Sequence, residues 1–133
     1  MARFTNFDSV NAEEYLVKNT TVTTDATAGA RTYTAPELLG GLILRDPAGA
    51  GRSDVTPTAA AIIAELEDQP IGASFEFTIR NTADANETIT VTAGTGVTLS
   101  GTMTIAQNNS KRFLAVVTGA STVTIYSLGT TVH

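Results

Sequence analysis

The chain has 133 residues, 42 % of them hydrophobic and none of them cysteine. One core of ordinary size can form, while a disulfide framework, a Cys-based zinc site and a thiol nucleophile are excluded. Eight Lys and Arg stand against 13 Asp and Glu, a net charge of −5, and Lys111-Arg112 are the only adjacent basic residues. Nucleic-acid binders need basic residues to neutralise phosphates, so no nucleic-acid partner is expected.

Met1-Ala2-Arg3-Phe4-Thr5 lacks the apolar block of a signal peptide, and no apolar run is long enough to span a bilayer. The expectation is a chain with no membrane partner that matures in a reducing cytoplasm. Thr is the commonest residue. It is β-branched and polar, which suits the outer face of a strand.

Residues 1–30 show no sustained period and read as an extended N-terminal arm, with a helical turn possible over Asn11–Lys18. Within it Phe4, Phe7, Tyr15, Leu16 and Val17 are apolar residues in a polar, Thr-rich setting. Each forfeits roughly 1.5–3 kcal/mol if left in water, so these five are the expected partner-contact residues. The competing reading is an arm that packs on its own body.

The body is expected over residues 31–133. Thr32-Tyr33-Thr34 reads as a short strand and Gly41–Arg45 as a more buried one, followed by a turn at Asp46–Gly51. One helix is predicted, with Thr56 as N-cap, Pro57 in the first helical position and Ala59–Glu67 as its length. Ile62, Ile63 and Leu66 share its apolar face, and Asp68-Gln69-Pro70 ends it.

From Ser74 onward the period becomes two. Phe75, Phe77 and Ile79 alternate with Glu76, Thr78 and Arg80, and the same pattern carries Ile89 and Val91, Val97 and Leu99, Met103 and Ile105, then Val123 and Ile125. Arg112–Val117 is apolar on both faces and reads as a central strand. Turn-forming clusters separate the runs, at residues 81–86, 93–95, 100–101, 107–110 and 118–121. The fold class that follows is all-β: a jelly-roll-like β-sandwich of about eight strands, with one short helix closing an end and the extended arm in front.

Catalytic chemistry finds no foothold. The only histidine, His133, is the last residue, a poor place from which to hold a general base. Glu65, Glu67 and Asp68 lie on the polar side of the helix, Glu13-Glu14 lie in the arm, and Glu76 points away from the core; each reads as solvated charge. The segment Arg45–Ser53 sits between a strand and a helix but lacks the Gly-Lys-Ser/Thr of a phosphate loop. Asn81, Asp84, Asn86 and Glu87 offer oxygens to a Ca²⁺ ion, although their spacing is not that of an EF-hand and such residues are ordinary in turns. No catalytic residue, cofactor or metal ligand is therefore assigned.

Gly41-Leu42-Ile43-Leu44-Arg45-Asp46-Pro47, then Asp54–Ala64, then Ile71–Thr82 form a recognisable series, continued by Ala93-Gly94-Thr95-Gly96-Val97-Thr98-Leu99-Ser100-Gly101-Thr102, Lys111-Arg112-Phe113 and Val123-Thr124-Ile125-Tyr126. In these stretches the chain resembles a β-sandwich module of tailed-bacteriophage virion proteins, found in small capsid decoration (cement) proteins and in domains of tail fibres. The likeness spans residues 40–128 and leaves the arm outside it. It implies a virion protein on the capsid surface, assembled in the host cytoplasm, that bridges neighbouring subunits of the major capsid protein, commonly as a homotrimer. The alternative is a tail-fibre or receptor-binding module, carbohydrate-binding modules included, though the chain has no Trp platform for a sugar.

Overall fold

A computed structural model describes residues 17–133. Phe4, Phe7, Tyr15 and Leu16 lie outside the described residues. The all-β, sandwich-like architecture expected from the alternating pattern is the one observed. Among the described residues, nine strands form two sheets. The larger contains β1 (Thr21–Asp25), β2 (Gly41–Arg45), β4 (Ser74–Asn81), β8 (Asn109–Gly119), β9 (Thr122–Val132) and β6 (Val97–Ser100), in the order β1-β2-β4-β8-β9-β6. The smaller has the order β3-β5-β7, from Arg52–Val55, Ile89–Thr92 and Thr104–Ile105.

Period two sets which side chains are buried. On β4, Phe77 and Ile79 are buried while Glu76 and Arg80 are exposed. On β8, Lys111, Phe113, Ala115 and Val117 turn inward, leaving Arg112, Leu114 and Val116 on the other face. Phe77 pairs with Phe113 across the ladder, and their rings stack at 5.0 Å. Such aromatic pairs contribute roughly 0.5–1.5 kcal/mol beyond the area they bury. The inner face of the large sheet shares one core with Ile89, Val91 and Ile105 of the small sheet and with Leu38, Ile62 and Ile63 of the helices. β8 is central, as its two apolar faces predict.

Four of the seven pairings are parallel: β1 with β2, β2 with β4, β3 with β5, and β6 with β9. Parallel neighbours need crossover connections. The first crossover holds a helix that the sequence reading lacks, α1 (Ala35–Gly40). Thr34 is its N-cap, and Glu37 completes a capping box. The strand expected at Thr32–Thr34 is therefore corrected: only an isolated bridge from Thr32 to Val55 forms there, and Thr34 starts a helix.

The expected helix exists as α2 (Ala59–Glu65), but its N-cap is Thr58. Thr56 is unavailable for capping, since its buried hydroxyl accepts a hydrogen bond from Gly94 N at 2.8 Å. A Cβ at Gly94 would meet Thr56 O at 2.5 Å, so only glycine allows this approach.

The boundary at residue 30 also needs correction. Thr21–Asp25 is not part of a free arm but the edge strand of the large sheet, in parallel register with Gly41–Arg45. An edge strand whose outer face no other described residue covers has no need of alternating hydrophobics, which is why Thr-Val-Thr-Thr-Asp carries no period.

Candidate functional site

The most connected polar cluster lies where the former arm meets the body. Arg45 follows Ile43 on the inward face of β2, and Asp54 is on β3; both side chains are fully buried. Arg45 donates all five of its N–H groups. Nε reaches Asp54 Oδ2 at 2.8 Å, and Nη1 reaches the carbonyls of Thr27 and Asp46. Nη2 reaches Gly29 O at 2.7 Å and Asp54 Oδ1 at 3.3 Å. Asp54 also accepts from Tyr33 Oη at 2.8 Å and from Arg31 N at 3.0 Å. Arg31 adds ion pairs to Asp25 and Glu37 and lies over the Tyr33 ring.

Every donor and acceptor of the Arg45–Asp54 pair is thus consumed by the fold. The cluster fastens residues 27–31 to β2 and β3. It is a clamp, with no lone pair or N–H left over for a substrate.

Burial raises the Tyr33 hydroxyl far above the ordinary phenol value of 10.0, and the neighbouring Asp54 charge adds to the rise. The folded state therefore keeps this proton where the unfolded chain loses it. Its contribution is complete below about pH 10 and declines above, because the native state then binds more protons than the unfolded one. Thermal melts between pH 8 and 12 should show an alkaline loss of stability that is smaller in Tyr33→Phe.

The 81–87 loop is organised from within. Asn81 Nδ2 donates to Glu87 O and Ile105 O, and its Oδ1 accepts from Ala83 N. Glu87 Oε1 accepts from Gly49 N at 2.8 Å. Asn81 and Glu87 are buried whereas Asp84 and Asn86 are exposed, so the four do not converge. Among the described residues no cluster of three His, Cys, Asp or Glu can hold a metal ion. Buried Lys111 is likewise structural: its ammonium donates to Thr102 O at 2.8 Å, and burial pushes its pKa down.

Among the described residues, no helix or second sheet packs on the outer face of the large sheet. Both helices and the small sheet join the core on the inner side. Outside, register places Val22, Leu42, Thr78 and Arg112 in one row, and Glu76, Leu114 and Tyr126 in another. Leu42, Leu44, Leu114 and Val116 are half-buried, while Val22, Tyr126 and Leu128 are exposed. Between β8 and β9 the register slips at Arg112/Phe113, where Leu128 is the extra residue. Beside this bulge lies an open hollow of about 240 Å³, lined by Thr78, Ser110, Arg112, Gly129, Thr130 and Thr131.

Of the five contact residues read from sequence, Val17 alone is described. It is 81 % exposed, ahead of β1, and Lys18–Thr20 are exposed with it. Sequence reasoning missed the clamp and the hollow. A signal for the first was present: with Ile43 in the core, alternation forces Arg45 inward as well, where it needs a carboxylate. No family model, curated protein or solved structure matches the chain.

Proposed function

We propose that the chain is a non-enzymatic structural protein of a tailed-phage virion. In this reading it decorates the capsid as a homotrimer and stabilises it by bridging neighbouring major capsid subunits. One observation carries the reading: the chain divides into a body whose buried Arg45–Asp54 pair is fully used within the clamp and an N-terminal stretch, exposed over Val17–Thr20, that precedes the sheet. The residues that resemble phage virion modules support it too: they fall on β2, β4, β6, β8 and β9 of the large sheet and, over Asp54–Ala64, on the end of β3 and on α2.

The mechanism is mass action. A protein that binds only the assembled shell stabilises it by about 2.7 kcal/mol per site at a free concentration of 100 times Kd. Residues 1–20 can span at most about 70 Å, enough to cross onto a neighbouring subunit. A trimer would engage several such contacts at once, and avidity then exceeds the affinity of any one of them.

The test is binding to heads that lack decoration. Full-length protein should bind and raise the temperature at which the heads rupture. Deletion of residues 1–16, which spares β1 and the clamp, should weaken binding at least tenfold, about 1.4 kcal/mol, with the thermal melt of the body unchanged. Full affinity after that deletion would remove these residues from the mechanism.

A further inference from the structure

The hollow beside the β8–β9 bulge is chemically specific. Arg112 is 63 % exposed and pairs through Nε with Glu76 at 3.3 Å; among the described residues its two terminal amino groups make no hydrogen bond. Thr78, Ser110, Thr130 and Thr131 surround it, and Gly129 leaves the floor open, since a Cβ there would meet nothing within 4 Å. A guanidinium with a free fork amid hydroxyls selects a carboxylate. At about 240 Å³ the space holds a side chain rather than a complete small-molecule ligand, which takes about 300–1,000 Å³. The rim adds apolar contacts, from half-buried Leu114 in the neighbouring row and from exposed Tyr126 and Leu128.

Charge narrows the occupant further. The chain carries a net charge of −5, yet this face holds Arg80 and Arg112 against one acid, Glu76, among the described residues. Residues 1–16 run the other way, with Asp8, Glu13 and Glu14 against Arg3. Glu13-Glu14-Tyr15-Leu16 sets two carboxylates directly beside an aromatic and an aliphatic side chain, matching both parts of the hollow.

We propose that the Arg112 hollow is a socket for an acidic–aromatic segment, Glu13-Glu14-Tyr15-Leu16, supplied by a second copy of the chain. Val17 is 81 % exposed and Lys18–Thr20 are exposed too, so the stretch leading to this segment is open to a neighbouring copy. Exchange of an identical segment between copies is also a common route to closed oligomers. The inference rests on reading residues 1–20 as a contact arm, but it concerns the purified protein and needs no capsid.

Sedimentation equilibrium of the full-length chain at low and high salt tests it. The wild type should self-associate, more weakly as salt screens the pair. Arg112→Glu, and separately Glu13→Arg with Glu14→Arg, should each weaken association at least tenfold, and the combination should restore it to within about threefold of wild type. Gly129→Phe, which fills the hollow without touching a charge, should weaken association as well. A wild type that stays monomeric, an unchanged Arg112→Glu, or a combined variant no tighter than either parent would overturn the proposal. Head binding that survives in a monomer would separate failure of the socket from failure of the capsid reading.

Discussion

Replacing Asp54 by Ala should destabilise the protein by about 3–5 kcal/mol, the cost of leaving a buried charge without its partner. Arg45 cannot escape to water, because it is fully buried and its remaining N–H groups are held by the carbonyls of Thr27, Gly29 and Asp46. Natural domains have only about 5–15 kcal/mol of stability, so a shift of this size is readily seen in urea denaturation. Many buried ion pairs can be exchanged for apolar residues at no loss. Here Arg45→Met with Asp54→Leu should remain strongly destabilised, because three carbonyls and the Arg31 amide would lose their partners. A double variant as stable as the wild type would show that the network does not fasten residues 27–31 to the body.

Phe77→Ala should cost a similar amount, about 3–5 kcal/mol, by removing a ring from the middle of the core. Phe77 is 2 % exposed and packs between Phe113 and Phe75, with ring centroids 5.0 Å and 6.1 Å away. Thr78, the next residue along β4, sits on the outer face, and Thr78→Ala should cost well under about 1 kcal/mol. Chemical denaturation of the pair gives the comparison. A larger loss at Thr78 would mean that the strand register is displaced by one residue, since a single-residue slip exchanges the two faces of the sheet.

These two sites differ in how visible they are in the sequence. Phe77 is legible because β4 alternates cleanly, with one face packed in the core and the other in solvent; the same physics exposes β5, β6, β8 and the first part of β9. β3 is hidden for the opposite reason. Its inward residue is Asp54, so Arg52-Ser53-Asp54-Val55 shows polar residues where a strand should show apolar ones. β1 is hidden because among the described residues it has one neighbouring strand, β2, and it has no fully buried residue. At six residues, α1 is too short for a period of 3.6 to emerge, although Thr34-Ala35-Pro36-Glu37 carried the capping box that marks its start.

The candidate site was less legible than the fold. The hollow depends on a bulge at Leu128 and on the side chain missing at Gly129, both in a stretch where alternation had already faded. It also draws Thr78, Ser110 and Arg112 from two strands that pair antiparallel, with Thr78 opposite Arg112 and Arg80 opposite Ser110, a juxtaposition set by register alone. The clamp likewise joins Arg45 and Asp54 through two different sheets. Local pattern carries no information about which inward charges meet, whereas the requirement that a buried Arg be paired does.

The reading of the chain as a capsid decoration protein is tested most directly by finding where it sits in the particle. Virions carrying the chain would be separated into heads and tails, and each fraction probed with antibody against the folded body, by immunoblot and by gold labelling under the electron microscope. The label should fall on heads, spread over the capsid surface at many copies per particle. Label confined to the tail or its fibres would contradict it, and would move the outer sheet face and the arm to the attachment of a receptor-binding module.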